Sequence, residues 1–486
     1  MQKKDAYLVL DIGTGNVRVV VVNPYGEILG VATGDIVYHR DDLYPDSIYF
    51  DPELLWQQLK QLGLNALKQA GDVMIKAITT TSQREGIVLI GKNEKSLIGL
   101  PNIDHRGREW EHTLTDKNRV YQLTGRYPTS LFSAFKLTGI RERRTAIWDQ
   151  LSFFLSISDW AEFKFTGIPK YEHSQASETL LYDVAKKDWS PELQNMFGLD
   201  EKYFPALSDA ATISGKIKKE VAKEWNISEI SVVVTGGGDT QLAIKSTQPS
   251  MDDIVIVSGT TTPIVKLVDS YITDSDERTW TSRDIENGRF VFEANAGVTG
   301  LNYQRLKEVF YPNESYEIIE KELTENKQSS CMASLGSLIA TERKSITTGG
   351  FIFPAPVSHE LTRSCFVRAT LLDIAFSIAE NYKVLKEIAG HQADYVWACG
   401  GGLKSKYLRQ LIANVINKKV QVRHGFQQSS AVGGALVCND ALNITNQLAN
   451  IEVEVAEPLD QDKYNELHSE WKKTRNFFKQ TGNLQN

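Results

Sequence analysis

Two stretches just over half a chain apart carry one design. VLDIGTGNVRVVVV, residues 9–22, is echoed by VIVSGTTTPIVKLV, residues 255–268. Each reads as a strand, a Gly-Thr turn and a second strand, and an internal repeat of this kind constrains the fold more than any other feature of the chain. Two halves that open alike build two lobes of one plan, facing each other with Gly13-Thr14 and Gly259-Thr260 on a shared cleft. The turn itself admits two readings. β-branched runs around glycines fit a plain hairpin. Yet Asp11 ends its strand in a carboxylate, Thr14 and Asn16 add polar side chains to the turn, and Arg18 interrupts the second run. Backbone amides and hydroxyls in a tight Gly turn form an anion-binding concavity. A carboxylate beside it would repel phosphate unless a cation lay between, so a turn for Mg²⁺ and a nucleotide is the second reading. Val257 stands where the first copy has Asp11, which leaves the metal side to the first half.

At 486 residues the chain exceeds one ordinary core. Its 41% hydrophobic and 24% charged content are those of a soluble globular protein, and a formal net charge of −7 argues against a nucleic-acid partner. The opening MQKKDAYLVLDIG has only a short apolar stretch, neither a signal-peptide core nor a membrane span, which predicts a cytoplasmic protein. Four cysteines without a CxxC pair predict thiols in a reducing compartment. Eight histidines without an HExxH-like spacing argue against a protein-held transition metal.

Between the two turns, PELLWQQLKQLGLNALKQAG has helical periodicity, IKAITTTSQREGIVLIG reads as a strand, and ISVVVTGGG is a strand running into the helix DTQLAIKS. The second half has a long helical pattern closing at Gly390, the strand DYVWACGGG, the helix LKSKYLRQLIANVI, and a tail after Pro458 that reads as a polar surface helix. The plan is mixed α/β in two lobes, divided near the polar KSTQPSMDD into residues 1–245 and 246–486.

Four further stretches can carry chemistry. In TGGGDTQLA, Asp239 is placed to cap a helix, but three preceding glycines serve no cap; they let a substrate approach the backbone and free Asp239 for a hydroxyl. In WACGGGLKSKYLRQL the glycines open a helix where a nucleotide could pack, although the GxGxxG fingerprint of dinucleotide enzymes is absent. Arg84 and Glu85 in TTSQREGIVLI read by default as an exposed ion pair on a strand edge, and Asp104 and Arg106 in NIDHRGRE as a charged loop. Both pairs could also hydrogen-bond a polyhydroxylated substrate.

Taken in order, DIGTGNVR, SQREG, NIDHR, GGGD, SGTTT and GGGLKS resemble the motif series of the FGGY family of carbohydrate kinases over nearly the whole chain. The resemblance implies an α/β fold of two actin-like ATPase (ribonuclease-H-like) domains with ATP in the interdomain cleft. It implies that Asp11 organises Mg²⁺, directly or through water. Thr14, Asn16 and Arg18 would meet the ATP phosphates from the first lobe, and Gly259 and Thr260 from the second. Gly300 and Gln304 in TGLNYQRLKE would contact the nucleotide, and Gly401, Gly402 and Lys404 would border the adenosine. Arg84, Glu85, Asp104 and Asp239 would face the acceptor, with Asp239 as the catalytic base. Within the family, SQREGIVL, Asn102 in place of the usual Trp, and SISDWAEFKFTG resemble the autoinducer-2 kinases, whose acceptor is linear 4,5-dihydroxy-2,3-pentanedione. Glycerol kinases share the Arg-Glu pair, but here Leu131 stands for a substrate-contacting Tyr and Thr240 follows Asp239 where they have Gln. The segment after GGFIFPAPVSHE is shorter than in most members.

The implied partners are ATP and a small-molecule acceptor, with no nucleic acid and no membrane; the oligomeric state is left open, and a homodimer is compatible. Pentulose, glycerol and tetritol kinases are the alternatives within the class, and a non-catalytic ATP-binding sensor of actin-like fold the alternative outside it.

Overall fold

The computed structural model describes residues 3–325, 331–342, 345–449 and 452–482. The first Gly-Thr stretch is a hairpin: Lys4–Ile12 pairs antiparallel with Asn16–Val22, Asp11 opposite Arg18. Ile28–Asp35 extends the sheet on that side. On the other side Lys4–Ile12 runs parallel to Val73–Ser82, then to Val232–Gly238, with Ile213–Lys216 antiparallel at the edge. The central strands are continuous apolar runs because both faces are covered. One cover is the helix Pro52–Ala70, whose start is fixed by Asp51 accepting from the amides of Glu53 and Leu54 and by Pro52 in its first turn.

The second lobe repeats the plan. Ile254–Val257 pairs antiparallel with Thr261–Val268, followed by Phe290–Val298 and Trp280–Arg283. On its other side it runs parallel to Tyr395–Cys399 and then Lys419–Arg423, with Val453–Ala456 antiparallel at the edge. The short echo in the sequence is thus the visible part of a repeated sheet. Between the sheets lie two helices, Asp239–Thr247 and Ser429–Ala441, packed on each other. Their approach requires glycine: a Cβ on Gly433 would sit 1.9 Å from the Leu242 carbonyl oxygen. Among the described residues no helix is long and apolar enough to cross a membrane.

Three local expectations change. The single strand expected over residues 75–91 is two, Val73–Ser82 and Ile87–Gly91, in different sheets. The chain turns at Arg84-Glu85-Gly86, where the Gly86 amide donates to the Arg84 carbonyl at 2.8 Å and Glu85 has φ of 63°. The glycines of WACGGGLKS form a 3₁₀ turn, Gly401–Lys404, and the α-helix Lys406–Ile416 starts only at its Ser405 cap. The tail helix Gln461–Gly482 does more than lie on the surface. Trp471 is fully buried and donates to Asp373 at 2.8 Å, and Arg475 forks onto Glu342.

Candidate active site

Each repeated turn ends the central strand of its own sheet, Lys4–Ile12 in the first lobe and Ile254–Val257 in the second. In the first, the Gly13 amide donates to the Asn16 carbonyl at 3.0 Å, leaving Gly15 and Asn16 exposed. Thr14 donates its hydroxyl to Asn102 Oδ1 at 3.1 Å, joining the turn to the NIDHR loop. Asp11 is buried, and its Oδ2 accepts from the Arg18 guanidinium and from the hydroxyl of Ser430, which belongs to the helix Ser429–Ala441. Arg18 also donates to Gln428 at 3.1 Å. Arg18 therefore steadies Asp11 and crosses to the second half of the chain.

In the second lobe the Gly259 amide donates to the Thr261 carbonyl at 2.9 Å, and Gly259 and Thr260 are exposed. Two neighbours press against this turn so closely that they must be glycine. A Cβ on Gly300 would lie 2.1 Å from the Gly259 carbonyl oxygen, and one on Gly400, at φ of 101°, would lie 2.3 Å from that of Ser258. Gly402 donates to Ser258 at 2.9 Å. Around Gly401 the space is open, and Lys404 and Gln304 are exposed at the rim. The structure thus brings the Gly259, Gly300 and Gly401 stretches to one patch.

The residues expected to face the acceptor start at the turn that splits the expected strand. A positive φ at the centre of a γ-turn is a strained geometry, costing on the order of 1–3 kcal/mol for a non-glycine residue. It separates Arg84 from Glu85, both buried, so they are not the exposed edge pair of the default reading. Arg84 instead forks onto Glu293 of the second lobe, Nη1 to Oε2 at 2.5 Å and Nη2 to Oε1 at 2.9 Å, with Glu178 at 3.7 Å. Glu178 also pairs with Arg126, whose guanidinium stacks 4.7 Å from the Trp280 ring. Burial raises the Glu85 carboxyl, and the Arg84 charge only partly offsets it. Asp104 is fully enclosed within the first lobe: Oδ1 accepts from the Ile48 amide at 3.0 Å and Oδ2 from Arg106 at 2.8 Å. Its carboxylate holds the loop that carries Asn102.

Asp239 is the first residue of its helix and does not cap it. Its Oδ1 accepts from the amide and hydroxyl of Thr240, and among the described residues no protein donor reaches Oδ2. Burial pushes its carboxyl up to about 6, with Arg84 pulling it down and Asp11 pushing it up. Asp239 therefore lies within electrostatic reach of both the Arg84 guanidinium and the Asp11 carboxylate.

The three glycines before it are held by residues the sequence did not single out. The Gly236 amide donates to Glu162 at 2.9 Å, the Gly238 amide to Ser174 at 3.0 Å, and Ser174 in turn donates to Glu172. A Cβ on Gly236 would lie 1.9 Å from the Thr80 carbonyl oxygen. Ser430 and Glu293 were also missed. A serine in a run of small residues has no local signature, and a glutamate inside an apolar strand signals a buried partner without naming it; helix packing brings Ser430 to Asp11, and the second-lobe sheet brings Glu293 to Arg84.

Two lobes of one plan, each offering a Gly turn, with buried charged groups linking them, define an actin-like ATPase architecture. Residues 6–245 match the N-terminal domain, and residues 342–442 the C-terminal domain, of the FGGY family of carbohydrate kinases. The chain belongs to that family and is a carbohydrate kinase. It is 47% identical over 480 residues to YoaC of Bacillus subtilis, provisionally named a sugar kinase, covering 98% of each chain. It is 25% identical over 466 residues to the autoinducer-2 kinase of Salmonella paratyphi B, covering 91% of this chain and 87% of that one. The xylulose kinase of Lactobacillus acidophilus shares its fold with a TM-score of 0.82 at 19% identity, over 97% of this chain and 98% of that one.

Proposed function

We propose that the chain transfers the γ-phosphoryl group of ATP to a terminal hydroxyl of a small linear carbohydrate-like acceptor. The observation that carries this reading is Asp239, whose Oδ2 has no protein donor among the described residues and whose carboxyl feels both the Arg84 and the Asp11 charge. 4,5-Dihydroxy-2,3-pentanedione is the first candidate acceptor, on the SQREGIVL stretch and Asn102 and on the similarity to the autoinducer-2 kinase. Asn102 supports it further: its side chain is tied to Thr14, and its amide donates to Gln83 at 2.9 Å, so the wall where other family members carry an aromatic ring is polar here. A pentulose such as xylulose comes next, then glycerol or a tetritol.

In the reaction Asp239 orients the acceptor hydroxyl and takes its proton. The hydroxyl oxygen bonds to the γ-phosphorus as the bond to the β,γ-bridging oxygen breaks, and ADP leaves. Phosphoryl transfer is largely dissociative, so positioning and electrostatics supply most of the rate. The Gly13 and Gly259 amides close their own turns, so the amides left to hold the phosphates are those of Thr14, Gly15 and Thr260, and the open space at Gly401 takes the adenosine face. Asp11 fits a Mg²⁺ role: Oδ2 is fixed by Arg18 and Ser430 while Oδ1 has no protein donor among the described residues, and Mg²⁺ is commonly held by one or two carboxylates plus substrate phosphates. When bound, Mg²⁺ neutralises charge on the phosphates. The lobes, taken as residues 1–245 and 246–486, close over the acceptor and exclude water.

The test is a coupled ADP-release assay with Mg·ATP against 4,5-dihydroxy-2,3-pentanedione, xylulose, ribulose, glycerol, erythritol and gluconate. The pentanedione is expected to give the highest kcat/KM. Preference for a ketose or polyol would replace the acceptor while keeping the kinase chemistry.

A further inference from the structure

The acceptor side of the cleft contains a second-lobe residue that the reaction as described does not use. Glu293 lies on the strand Phe290–Val298, is fully buried, and engages both terminal nitrogens of Arg84 with both of its oxygens. A fork-to-fork arrangement of this kind fixes the plane of a guanidinium as well as its position. Glu293 is itself held, since Asn295 Nδ2 donates to its Oε1 at 3.0 Å and Asn295 Oδ1 accepts from the Gly297 amide at 2.8 Å. Beyond Gly297 the same chain backs the second Gly-Thr turn. The Thr299 amide donates to the Thr260 carbonyl at 3.2 Å, the Thr299 and Thr262 hydroxyls meet at 2.7 Å, and Gly300 presses on Gly259. One continuous segment thus touches Arg84 at Glu293 and the phosphate turn at Thr299 and Gly300, six and seven residues later.

We propose that Glu293 is the positioning residue through which the second lobe presents Arg84 to the acceptor, so that Arg84 is set in its working orientation only when that lobe is seated on the first. This rests on the reading of Arg84 as an acceptor ligand. Glu293 touches neither acceptor nor phosphate; it acts through the guanidinium. Burial alone would raise its carboxyl, but the charge and hydrogen bonds of Arg84 bring it below the ordinary carboxylate range, as expected of an ionised partner. Glu178, at 3.7 Å and already paired with Arg126, does not replace the fork.

The experiment measures kcat and both KM values for Arg84→Ala, Glu293→Gln, the milder Glu293→Asp, and the double variant Arg84→Ala/Glu293→Gln, using the acceptor of the panel above with the highest kcat/KM. Melting temperature and binding of Mg·ADP report whether each variant folds. Loss of orientation from a remote change costs about 10²-fold, so Glu293→Gln is expected to lower kcat/KM for the acceptor by about that factor while KM for Mg·ATP moves less than about threefold. Glu293→Asp, which keeps the charge, recovers part of the loss. The double variant is no worse than Arg84→Ala alone, because residues acting as one unit are not additive. Additive losses, or equal damage to acceptor and Mg·ATP parameters, would assign Glu293 a merely structural role and overturn the proposal. An Arg84→Ala variant with wild-type acceptor kinetics would instead remove Arg84 from the acceptor site, and the inference with it.

Discussion

Asp239 shows how a single position changes meaning between sequence and structure. An aspartate at a strand-helix junction reads as a cap, yet here Gly238 is the cap position and one Asp239 carboxylate oxygen has no protein donor among the described residues, which suits the proposed base. Its environment sets a pH dependence. Burial holds the carboxyl near 6, so it is ionised at neutral pH and becomes protonated, and useless as a base, as the pH falls through that value. The kcat/KM profile for the acceptor, which reports the free enzyme, is therefore expected to show an acid limb with a midpoint near 6, falling about tenfold per pH unit below it. A flat profile down to pH 5 would assign the proton to another group. Arg84 and Glu85 teach the complementary lesson. The residue types were readable as ligands, but the γ-turn that sends them apart, and the glutamate that receives Arg84, depend on a partner strand more than two hundred residues away in sequence.

Among the elements, the Gly-rich strand Val232–Gly238 and the helix after it were legible because three glycines before an aspartate have few structural uses. The carboxylates that hold that strand were not, because Glu162 and Glu172 occupy positions that look like ordinary polar residues of a helix and a strand. Their burial has a consequence for stability. Burial pushes the Glu172 carboxyl up to about 8, despite hydrogen bonds from Ser174 and Gln175. The fold keeps a proton that the unfolded chain gives up, so stability falls as the pH rises above about 4.5, the loss being complete once it passes about 8. Melting curves between pH 5 and 9 are expected to show this decline, and Glu172→Gln, which cannot ionise, to make it shallower, the buried Glu85, Asp159 and Asp284 carboxyls keeping the remainder. Two glycines separate packing from ligand contact in the same way. Gly433→Val would drive a side chain into the Leu242 carbonyl and is expected to cost about 1–3 kcal/mol of stability by overpacking the two interlobe helices. Gly401→Ala meets nothing in the protein, so its melting temperature stays at the wild-type value while KM for ATP rises about tenfold, a loss of ~1.4 kcal/mol of binding. An unchanged KM would take the adenosine away from Gly401.

For the molecule as a whole, the repeated opening was the decisive signal. The echo covers one hairpin in each half, yet sheet order, strand directions and the antiparallel edge strand repeat across both lobes. The rest was hidden because later strands diverged while keeping only their apolar character, which specifies burial and not partners. Family membership excludes the reading of a non-catalytic sensor, and the chemistry then turns on whether the group between the lobes is the base. The deciding measurement is acceptor-dependent ADP release from Mg·ATP by the wild-type chain and by Asp239→Asn, side by side with Mg·ADP binding to both. Acceptor-stimulated turnover in the wild type, a fall in kcat of about 10²–10⁴-fold in the variant, and matched nucleotide affinities are the expected result. Wild-type kcat in Asp239→Asn with the same acceptor would contradict it.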